Sequence, residues 1–413
     1  MPALRALRGR AGEYFATTFS SLSQREYRVF ATGQAVSLIG NWMQQVAIGW
    51  TVLLLTDSPL LLGVAAGARA LPVLLFGFVG GIAADRYDRR RTLLIANTLG
   101  LVLSALLAGL VVANLITVPV ILVLALLLGT TQAFEIPARQ SFYVELAGRE
   151  QMANAIAVNA LFFNLARVLG PALAGIIVAV AGPGPAFTLN AISYLPVLYG
   201  VLILRTNDAG RTPSKVRGAL SSTFRYLREE QRVALVLLLL MANTIFASGH
   251  LYLGPAIARD LGRGADGFGL LLSAVGLGAI LGTLVLASRS QRGGVRWKGL
   301  VRGGLILGCA QVAVPLSGLY PLTLLIFCVV GFGWVSVNAT ANTMIQAAVK
   351  DEYRGRVMSL YSLVLLGFQP FGGLLLGWIG ETWGALLAMG VGGTAWMASL
   401  LLVLALRPVL RTI

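Results

Sequence analysis

Long uncharged apolar segments follow one another along the whole chain and are separated by short polar segments. The charge-free windows are 29–56, 92–134, 168–204, 233–258, 267–288, 303–349, 357–380 and 382–406. A helix of about 20 such residues crosses a bilayer. The three longest windows each contain a break suited to a tight turn, at 114–119, 182–185 and 317–321. Together with residues 59–84, which are apolar except for Arg69, the pattern predicts an all-α polytopic membrane protein with twelve transmembrane helices.

Composition supports a membrane protein and excludes an ordinary soluble domain. Of the 413 residues, 57% are apolar and only 12% are charged, whereas soluble domains carry about 25% charged residues. The N-terminal residues are too polar for a cleavable signal peptide. Cys309 and Cys328 fall inside predicted helices, so the sequence does not indicate a disulfide framework.

The net charge of +16 indicates contact with a membrane surface rather than with nucleic acid. If the N-terminus is cytosolic, basic residues collect in the cytosolic segments: 5–28, 86–91, 139–149, 205–232, 289–302, 350–356 and 407–411. Arg69 and Arg167 fall within helices, and only Arg259 and Arg263 fall on the outer side. By the positive-inside rule both termini are cytosolic, as expected for a multi-pass protein of the bacterial cytoplasmic membrane.

The helices are expected to form two pseudo-symmetric six-helix bundles. The predicted segments are a cytosolic N-terminal segment 1–26, a bundle 27–204, a cytosolic linker 205–231, a second bundle 232–406 and a cytosolic tail 407–413. The halves repeat weakly: Gly170–Gly175 in helix 5 corresponds to Gly372–Gly377 in helix 11, and Gln140–Arg149 after helix 4 corresponds to Gln346–Gly355 after helix 10. Such a repeat is typical of transporters with a cavity between their halves.

Two motifs resemble those of the major facilitator superfamily. The segment after helix 2 is similar to the superfamily's Gly-x-x-x-Asp-Arg-x-Gly-Arg-Arg motif, and the matching residues are Gly81, Asp85, Arg86, Arg89 and Arg90. The sequence departs from this motif at Asp88, where the superfamily has Gly. Helix 5 is similar to the Gly-Pro-x-x-Gly-Gly motif of antiporters, and its residues are Gly170, Pro171, Ala174 and Gly175, with Ala174 replacing one Gly.

Other segments resemble the enterobactin-exporter and macrolide-efflux branch. They are 40–42 with Trp50, Arg69 with Pro72, 135–140, 164–167 and 354–357. The resemblance covers essentially the whole chain and implies export. The Arg of helix 4 that is common in drug–proton antiporters is absent, because this region reads Ala125-Leu126-Leu127-Leu128-Gly129.

Asp85 has a role implied by this resemblance. It ends helix 2 at the cytosolic face, where it would pair with an Arg and face a neighbouring helix N-terminus, an arrangement that stabilises a carboxylate by about 0.3–1 kcal/mol. Such a contact would hold the outward-facing state closed at the cytosolic face and would break when the halves rock. The alternative is that the charged segment only sets topology.

Three charged residues, Arg69, Glu135 and Arg167, fall within predicted membrane helices. They are candidates for function, because a charge inside the membrane is costly. Glu135 can pair with Arg139 one helical turn away. In one interpretation Glu135 exchanges protons, and in the other Glu135, Arg139 and Arg167 form a permanent ionic cluster between helices 4 and 5. Arg69 either lines the cavity and attracts an anionic group or bonds to carbonyl and amide groups of neighbouring helices.

Polar residues elsewhere mark a predicted substrate cavity. Asn41, Gln44 and Gln45 lie on one face of helix 1, so they contact either the substrate or other helices. The cavity wall of the second half is expected to include Asn338, with Phe246, Tyr252, Trp334 and Phe368 as further candidates. His250, the only His, is either a proton site or a buried hydrogen-bonded residue.

We interpret the chain as a secondary active transporter that exports an amphiphilic small molecule, such as a drug, a macrolide or a siderophore, by proton-coupled alternating access. It is expected to act as a monomer. Helix 1 has no acidic residue, so neutral or anionic amphiphiles suit it better than cations. A facilitator or importer of the same fold, or a non-transporting membrane sensor or scaffold, are the alternatives. The sequence shows no phosphate loop, metal-spaced cluster or catalytic centre, so no enzyme, cofactor or metal site is predicted.

Overall fold

The computed structural model describes residues 20–204, 223, 226–290 and 297–406. Of the predicted cytosolic segments, residues 1–19, most of the linker 205–231 and the tail 407–413 lie outside the described residues. The described part contains twelve helices that are long and apolar enough to cross a membrane, as the sequence predicts. In chain order they are α1 (Arg25–Thr56), α2 (Pro59–Ala84), α3 (Arg89–Val112), α4 (Val118–Gly148), α5 (Glu150–Ala181), α6 (Pro183–Ile203), α7 (Gln231–Tyr252), α8 (Ala265–Ser288), α9 (Trp297–Leu316), α10 (Tyr320–Ala348), α11 (Glu352–Trp383) and α12 (Ala385–Ala405).

Local sequence signals set several of the helix ends. The Ser58 side chain accepts a hydrogen bond from the Leu61 amide at the start of α2, and Pro59 occupies the first turn, where its missing N–H costs nothing. Asp88 caps α3 in the same way by accepting from the amides of Arg90 and Arg91. Asp88 therefore has a structural use for its carboxylate at the position where the superfamily motif has Gly.

The connection between α4 and α5 differs from the expectation. Gln140–Arg149 was expected to follow helix 4, but α4 continues to Gly148 and α5 begins at Glu150. Gly148 alone turns the chain, with φ 69° and ψ 168°, a conformation that Gly adopts readily. Polar residues end a hydrophobic window without ending the helix, because a helix continues past the hydrocarbon core into water.

The seventh helix is interrupted near its end. The regular helix Gln231–Phe246 stops at Ala247 and Ser248, and one further turn, Gly249–Tyr252, leads into the short helix Gly254–Asp260. Discontinuous helices that expose backbone groups are common at binding sites of transporters. The sequence carries turn-forming pairs here, Ser248-Gly249 and Gly254-Pro255, but the charge-free window runs through them and gives no sign of where the helix ends.

The two halves contact each other along two seams. We call α1–α6 the N-terminal half and α7–α12 the C-terminal half; α2 packs against α11, and α5 packs against α8. Small residues allow close approach, since a Cβ added to Gly373 would lie 2.8 Å from the carbonyl oxygen of Gly63. Similarly, a Cβ added to Gly175 would lie 3.0 Å from the Cα of Gly269. Such contacts between small residues are typical of helix packing in membranes.

The two ends of the molecule are named here by residues that lie there. The Asp57 end is where α1 leads into α2, and the Arg89 end is where α2 leads into α3. Both seams run from the Asp57 end, at Pro59–Gly377 and Ala265–Gly175, to about the middle of the helices, at Leu74–Gly367 and Val168–Gly276. The halves are therefore joined over the Asp57 side of the molecule.

Candidate functional site

A cavity of about 340 Å³ lies between the two halves. Its charged lining residues are Arg69 from α2, Glu135 and Arg139 from α4, and Arg167 from α5. The cavity residues that the C-terminal half contributes are uncharged, among them Tyr252, Pro255, Phe268, Trp334 and Gln369. All four charges therefore belong to the N-terminal half.

Polar contacts between the halves close the cavity at the Asp57 end. The Glu381 carboxylate of α11 accepts hydrogen bonds from the Ser58 hydroxyl, at 2.7 Å, and from the Leu60 amide, at 3.2 Å. A carboxylate of one half thus caps the N-terminus of a helix of the other half, which is a favourable position for a negative charge. Arg259 also crosses between the halves by pairing with Asp57, while it holds Asp260 at 2.8 Å.

The environment of Arg259 keeps it charged. Partial burial lowers the pKa of Arg259, but the hydrogen bonds and charges of Asp260 and Asp57 outweigh the burial and raise this pKa above its ordinary value. These contacts therefore add to the preference of the guanidinium for its charged form. We call Asp57, Ser58, Arg259, Asp260 and Glu381 the outer clasp, because the positive-inside rule predicts that the Asp57 end faces outward.

Glu135 and Arg139 form an ion pair on the cavity wall. The guanidinium lies 3.4 Å from the carboxylate, at one-turn spacing on α4, and both side chains are largely buried. The pair is available as the sequence predicts.

Arg167 does not join this pair, so the interpretation of a three-residue ionic cluster is wrong. In the part of the chain that the structure describes, no carboxylate lies within ion-pair distance of its guanidinium. Arg167 instead lies over two aromatic rings, 4.7 Å from the centroid of Trp334 and 5.9 Å from that of Trp42. The electrostatic partners of Arg167 are therefore aromatic rings rather than a carboxylate.

Arg69 lines the cavity, as expected if its role is to attract an anionic group. Its Nη1 atom is buried and has no hydrogen-bond partner among the described residues. The backbone of α2 at Arg69 is also tightly packed, because a Cβ on Gly129 would meet the Arg69 carbonyl oxygen and, at 3.2 Å, Pro72. Arg69 is thus a cationic side chain on a closely packed segment of α2, and no ion pair to a described carboxylate involves it.

The three polar residues of helix 1 divide between two environments. Asn41 and Gln45 line the cavity, and Asn41 accepts a hydrogen bond from the Tyr194 hydroxyl at 3.0 Å. Gln44 does not line the cavity, contrary to its assignment there. Its side-chain oxygen accepts hydrogen bonds from Ser104 of α3, at 2.8 Å, and from Asn190 of α6.

Asn338 was also predicted to line the cavity, and it does not. It is buried away from the cavity, and its amide donates to the Trp334 carbonyl oxygen of its own helix at 2.8 Å. Its neighbour by one turn, Trp334, reaches the cavity instead. His250 is fully buried, and its ring packs edge-on against Trp334 with centroids 5.9 Å apart. In the described structure neither ring nitrogen of His250 has a hydrogen-bond partner.

The motif after helix 2 ties the Arg89 end of the N-terminal half together. Arg89 pairs with Glu145 of α4 at 3.1 Å, and Arg90 donates to the Val201 carbonyl oxygen of α6 at 2.9 Å. Arg86 is exposed, and a Cβ on Gly81 would meet no atom within 4 Å. The side chain of Asp85 lies outside the described residues, so its gating role stays a prediction.

The motif of helix 5 lies where α5 crosses two other helices. A Cβ on Gly170 would meet the Ile39 carbonyl oxygen of α1 at 2.8 Å, and Gly175 faces α8. Ala174 is fully buried, and the helix continues through Pro171. The motif therefore provides close packing on both of its sides, one of them the seam between the halves.

Several residues that line the cavity are not predicted to do so by the sequence. They include Gln34, Trp42, Gln132, Phe163, Tyr194 and Gln369. Gln132 precedes Glu135 by one helical turn, so the two residues share a face of α4 and the spacing could have predicted Gln132 as a cavity residue. The aromatic residues give no such signal, because aromatic residues in membrane helices face lipid, protein or cavity alike.

Curated relatives and solved structures agree on the kind of protein. The chain is 26% identical over 381 residues to a staphyloferrin A transporter of Staphylococcus aureus, a match that covers 89% of this chain and 92% of the relative. It is 27% identical over 371 residues to the enterobactin exporter EntS of Citrobacter koseri, covering 86% of this chain and 85% of the relative.

Among solved structures, the nucleoside transporter NupG has the same fold, with a TM-score of 0.73 at 12% identity over 92% of this chain and 98% of that one. An inward-facing bacterial homologue of the lysosomal transporter Spinster gives 0.71 at 14% identity, covering 92% of this chain and 94% of the other. The family model for transmembrane secretion effectors matches residues 16–411. The chain therefore belongs to the transmembrane secretion effector family of the major facilitator superfamily, whose members are membrane transporters and not enzymes.

Proposed function

We propose that this protein is a secondary active exporter of anionic amphiphilic small molecules from the cytosol. It works by alternating access and draws on the proton motive force. The observation that carries the proposal is the charge of the cavity, which holds three Arg and one Glu. Glu135 compensates Arg139, so Arg69 and Arg167 remain without a carboxylate among the described residues. A substrate anion supplies the charge that these two cations lack.

The lining also favours an amphiphile. Trp42, Phe163, Phe268 and Trp334 present aromatic surface beside the charged groups. An apolar wall with a few well-placed polar groups is typical of small-molecule sites. Substrates such as siderophores carry both kinds of group, and the relatives named above are called a staphyloferrin A transporter and an enterobactin exporter.

The direction of transport follows from the closed end and the basic residues. Basic residues concentrate at the Arg89 end, which the positive-inside rule makes cytosolic. The outer clasp and both seams join the halves on the opposite side. We infer that this conformation takes up substrate from the cytosol, and that rocking of the halves opens the Asp57 end for release.

The energy source has two separable components. An inside-negative potential favours the exit of an anion by about 2.3 kcal/mol per charge per 100 mV. Proton coupling acts through Glu135, which lines the cavity and must leave Arg139 before it takes up a proton. The two components make different predictions for an imposed potential and an imposed pH gradient.

Proteoliposomes test export and its charge preference. Uptake of iron-free enterobactin and iron-free staphyloferrin A is measured with a lumen-positive potential set by valinomycin. We expect wild-type uptake, and at least a ten-fold loss in the double variant Arg69→Gln/Arg167→Gln because the uncompensated cations are gone. Arg91→Gln is the matched control, since Arg91 is exposed and lies outside the cavity. No potential-driven uptake of either compound by wild type, or equal uptake by the double variant, contradicts the proposal.

An imposed pH gradient tests the role of Glu135. With an acidic lumen and no potential, Glu135→Gln is expected to abolish the proton-driven part of uptake while potential-driven uptake persists. Glu26→Gln is the control, because Glu26 is exposed near the start of α1 and does not line the cavity. Proton-driven uptake that survives in Glu135→Gln removes this residue as the proton carrier.

A further inference from the structure

The guanidinium of Arg167 contacts one aromatic ring from each half of the protein. Trp42 of α1 belongs to its own half, at 5.9 Å, and Trp334 of α10 belongs to the other half, at 4.7 Å. Both Trp side chains and Arg167 line the cavity. The site around Arg167 is therefore built across the interface that moves when the halves rock.

Each of the two Trp rings is held by a further aromatic ring. Phe163 packs edge-on against Trp42, with centroids 6.2 Å apart and an interplanar angle of 67°. His250 packs edge-on against Trp334 at 5.9 Å and 77°. Since His250 lies on the single turn that follows the break in α7, the break helps to place the ring that supports Trp334.

Cation–π contact leaves the hydrogen-bonding capacity of an Arg unused. A ring attracts the cation through its quadrupole. The five N–H groups at the edge of the guanidinium still need hydrogen-bond acceptors, such as the oxygen atoms of an anion. Arg167 has no carboxylate partner among the described residues, so these donors can bind a carboxylate, sulfonate or phenolate of a ligand in the cavity. The rings restrict the orientation of the guanidinium before the anion arrives.

We propose that Trp334 is a positioning residue for anion binding at Arg167, and that it makes this binding depend on the conformation of the transporter. In the conformation with the Asp57 end closed, Trp334 holds Arg167 and the anion subsite is complete. Separation of the halves near the middle of the membrane removes the ring of the opposite half, and the affinity for the anion falls. A substrate bound from the cytosol is thereby released on the other side.

This proposal rests on the proposed function, but it is tested by binding at equilibrium, without transport. The probes are 8-anilinonaphthalene-1-sulfonate and N-phenyl-1-naphthylamine, which share a ring system and differ in the sulfonate. Their fluorescence is titrated with protein in nanodiscs, and empty nanodiscs give the background. A protein that binds the sulfonate but exports neither siderophore would uphold this subsite and contradict the proposed function, so the two failures are distinguishable.

We expect Trp334→Ala to weaken binding of the sulfonate about ten-fold, within the range of about two- to thirty-fold that cation–π energies give. Binding of the neutral probe should change less than about two-fold on the same scale. Trp334→Phe keeps an aromatic face and should restore most of the sulfonate affinity. Trp378→Ala is the control, because Trp378 is exposed on the outside of α11. Unchanged sulfonate binding in Trp334→Ala, or equal loss of both probes, overturns the proposal.

A cross-link across the outer clasp tests the dependence on conformation. Ser58→Cys and Glu381→Cys are joined by a short bifunctional thiol reagent in a background in which Cys309 and Cys328 are replaced by Ser. The Ser58 hydroxyl and the Glu381 carboxylate are 2.7 Å apart, so the cross-link holds the Asp57 end closed. The unlinked variant lacks the Ser58–Glu381 contact, so the linked protein should bind the sulfonate more tightly than the unlinked protein. Equal or weaker binding by the linked protein contradicts the assignment of the complete subsite to this conformation.

Discussion

Two adjacent glutamines on α1 have different roles, because neighbouring positions on a helix face different surroundings. Gln44 is fully buried and bonds to Ser104 and Asn190, whereas Gln45 faces the cavity. Successive residues on a helix lie about 100° apart around its axis, which follows from 3.6 residues per turn. A polar stripe of three residues is therefore wide enough to reach both the cavity and the neighbouring helices.

The glutamine pair gives a prediction with a built-in control. Gln44→Ala removes the acceptor shared by Ser104 and Asn190, and interhelical hydrogen bonds in membranes contribute about 0.6 kcal/mol each, and at most about 1.7. We expect a lower thermal unfolding midpoint in detergent for Gln44→Ala than for wild type, with substrate affinity conserved. Gln45→Ala should keep the midpoint and change the apparent KM of transport. The same loss of stability in both variants contradicts this division.

At the level of the helices, the hydrophobic pattern predicts well where each helix lies along the chain and poorly which helices contact one another. The windows locate all twelve spans because each span must satisfy its own backbone hydrogen bonds in lipid. The pattern cannot predict that Arg167 contacts Trp334, since the partner lies in the other half of the chain. It also misses the turn at Gly148 and the break in α7, which depend on backbone dihedral angles and on packing rather than on polarity.

The junction of α11 and α2 in the outer clasp is the next testable element. Glu381 caps α2 through the Ser58 hydroxyl and the Leu60 amide. Glu381→Ala leaves the start of α2 without this charged acceptor, so the closed Asp57 end loses a contact that the open state does not have. We expect the Asp57 end to open more often.

Thiol labelling measures this opening. Ala66 lines the cavity on α2, and Ala66→Cys in a protein without other cysteines is exposed to a membrane-impermeant reagent added on the outer side of intact cells. Glu381→Ala should raise the labelling rate several-fold. Thr382→Val is the control, because the Thr382 hydroxyl bonds only within its own helix among the described contacts. Equal labelling rates in Glu381→Ala and the control show that the clasp does not hold this end closed.

At the level of the whole molecule, the two seams and the outer clasp favour the same state. The clasp supplies charged contacts at the rim, and the seams allow backbones to approach where a Cβ would not fit. Because packed interfaces are bistable rather than continuously deformable, a side chain inserted into one seam should move the whole equilibrium. Arg167 and Trp334 lie between the seams, so the anion subsite reports on that equilibrium from inside the cavity.

Gly175→Val tests this coupling of seam to conformation. A Cβ at Gly175 already lies 2.9 Å from the Ala265 carbonyl oxygen and 3.0 Å from the Cα of Gly269, so the branched side chain of Val prevents close approach of α5 and α8. Spin labels at Arg91→Cys and Glu352→Cys, on opposite halves at the Arg89 end, should report a shorter distance, because opening of the Asp57 end closes the Arg89 end. Gly109→Val is the matched control, since no atom lies within 4 Å of a Cβ there. A distance distribution that matches the control means that the packing of α5 against α8 does not set the conformation.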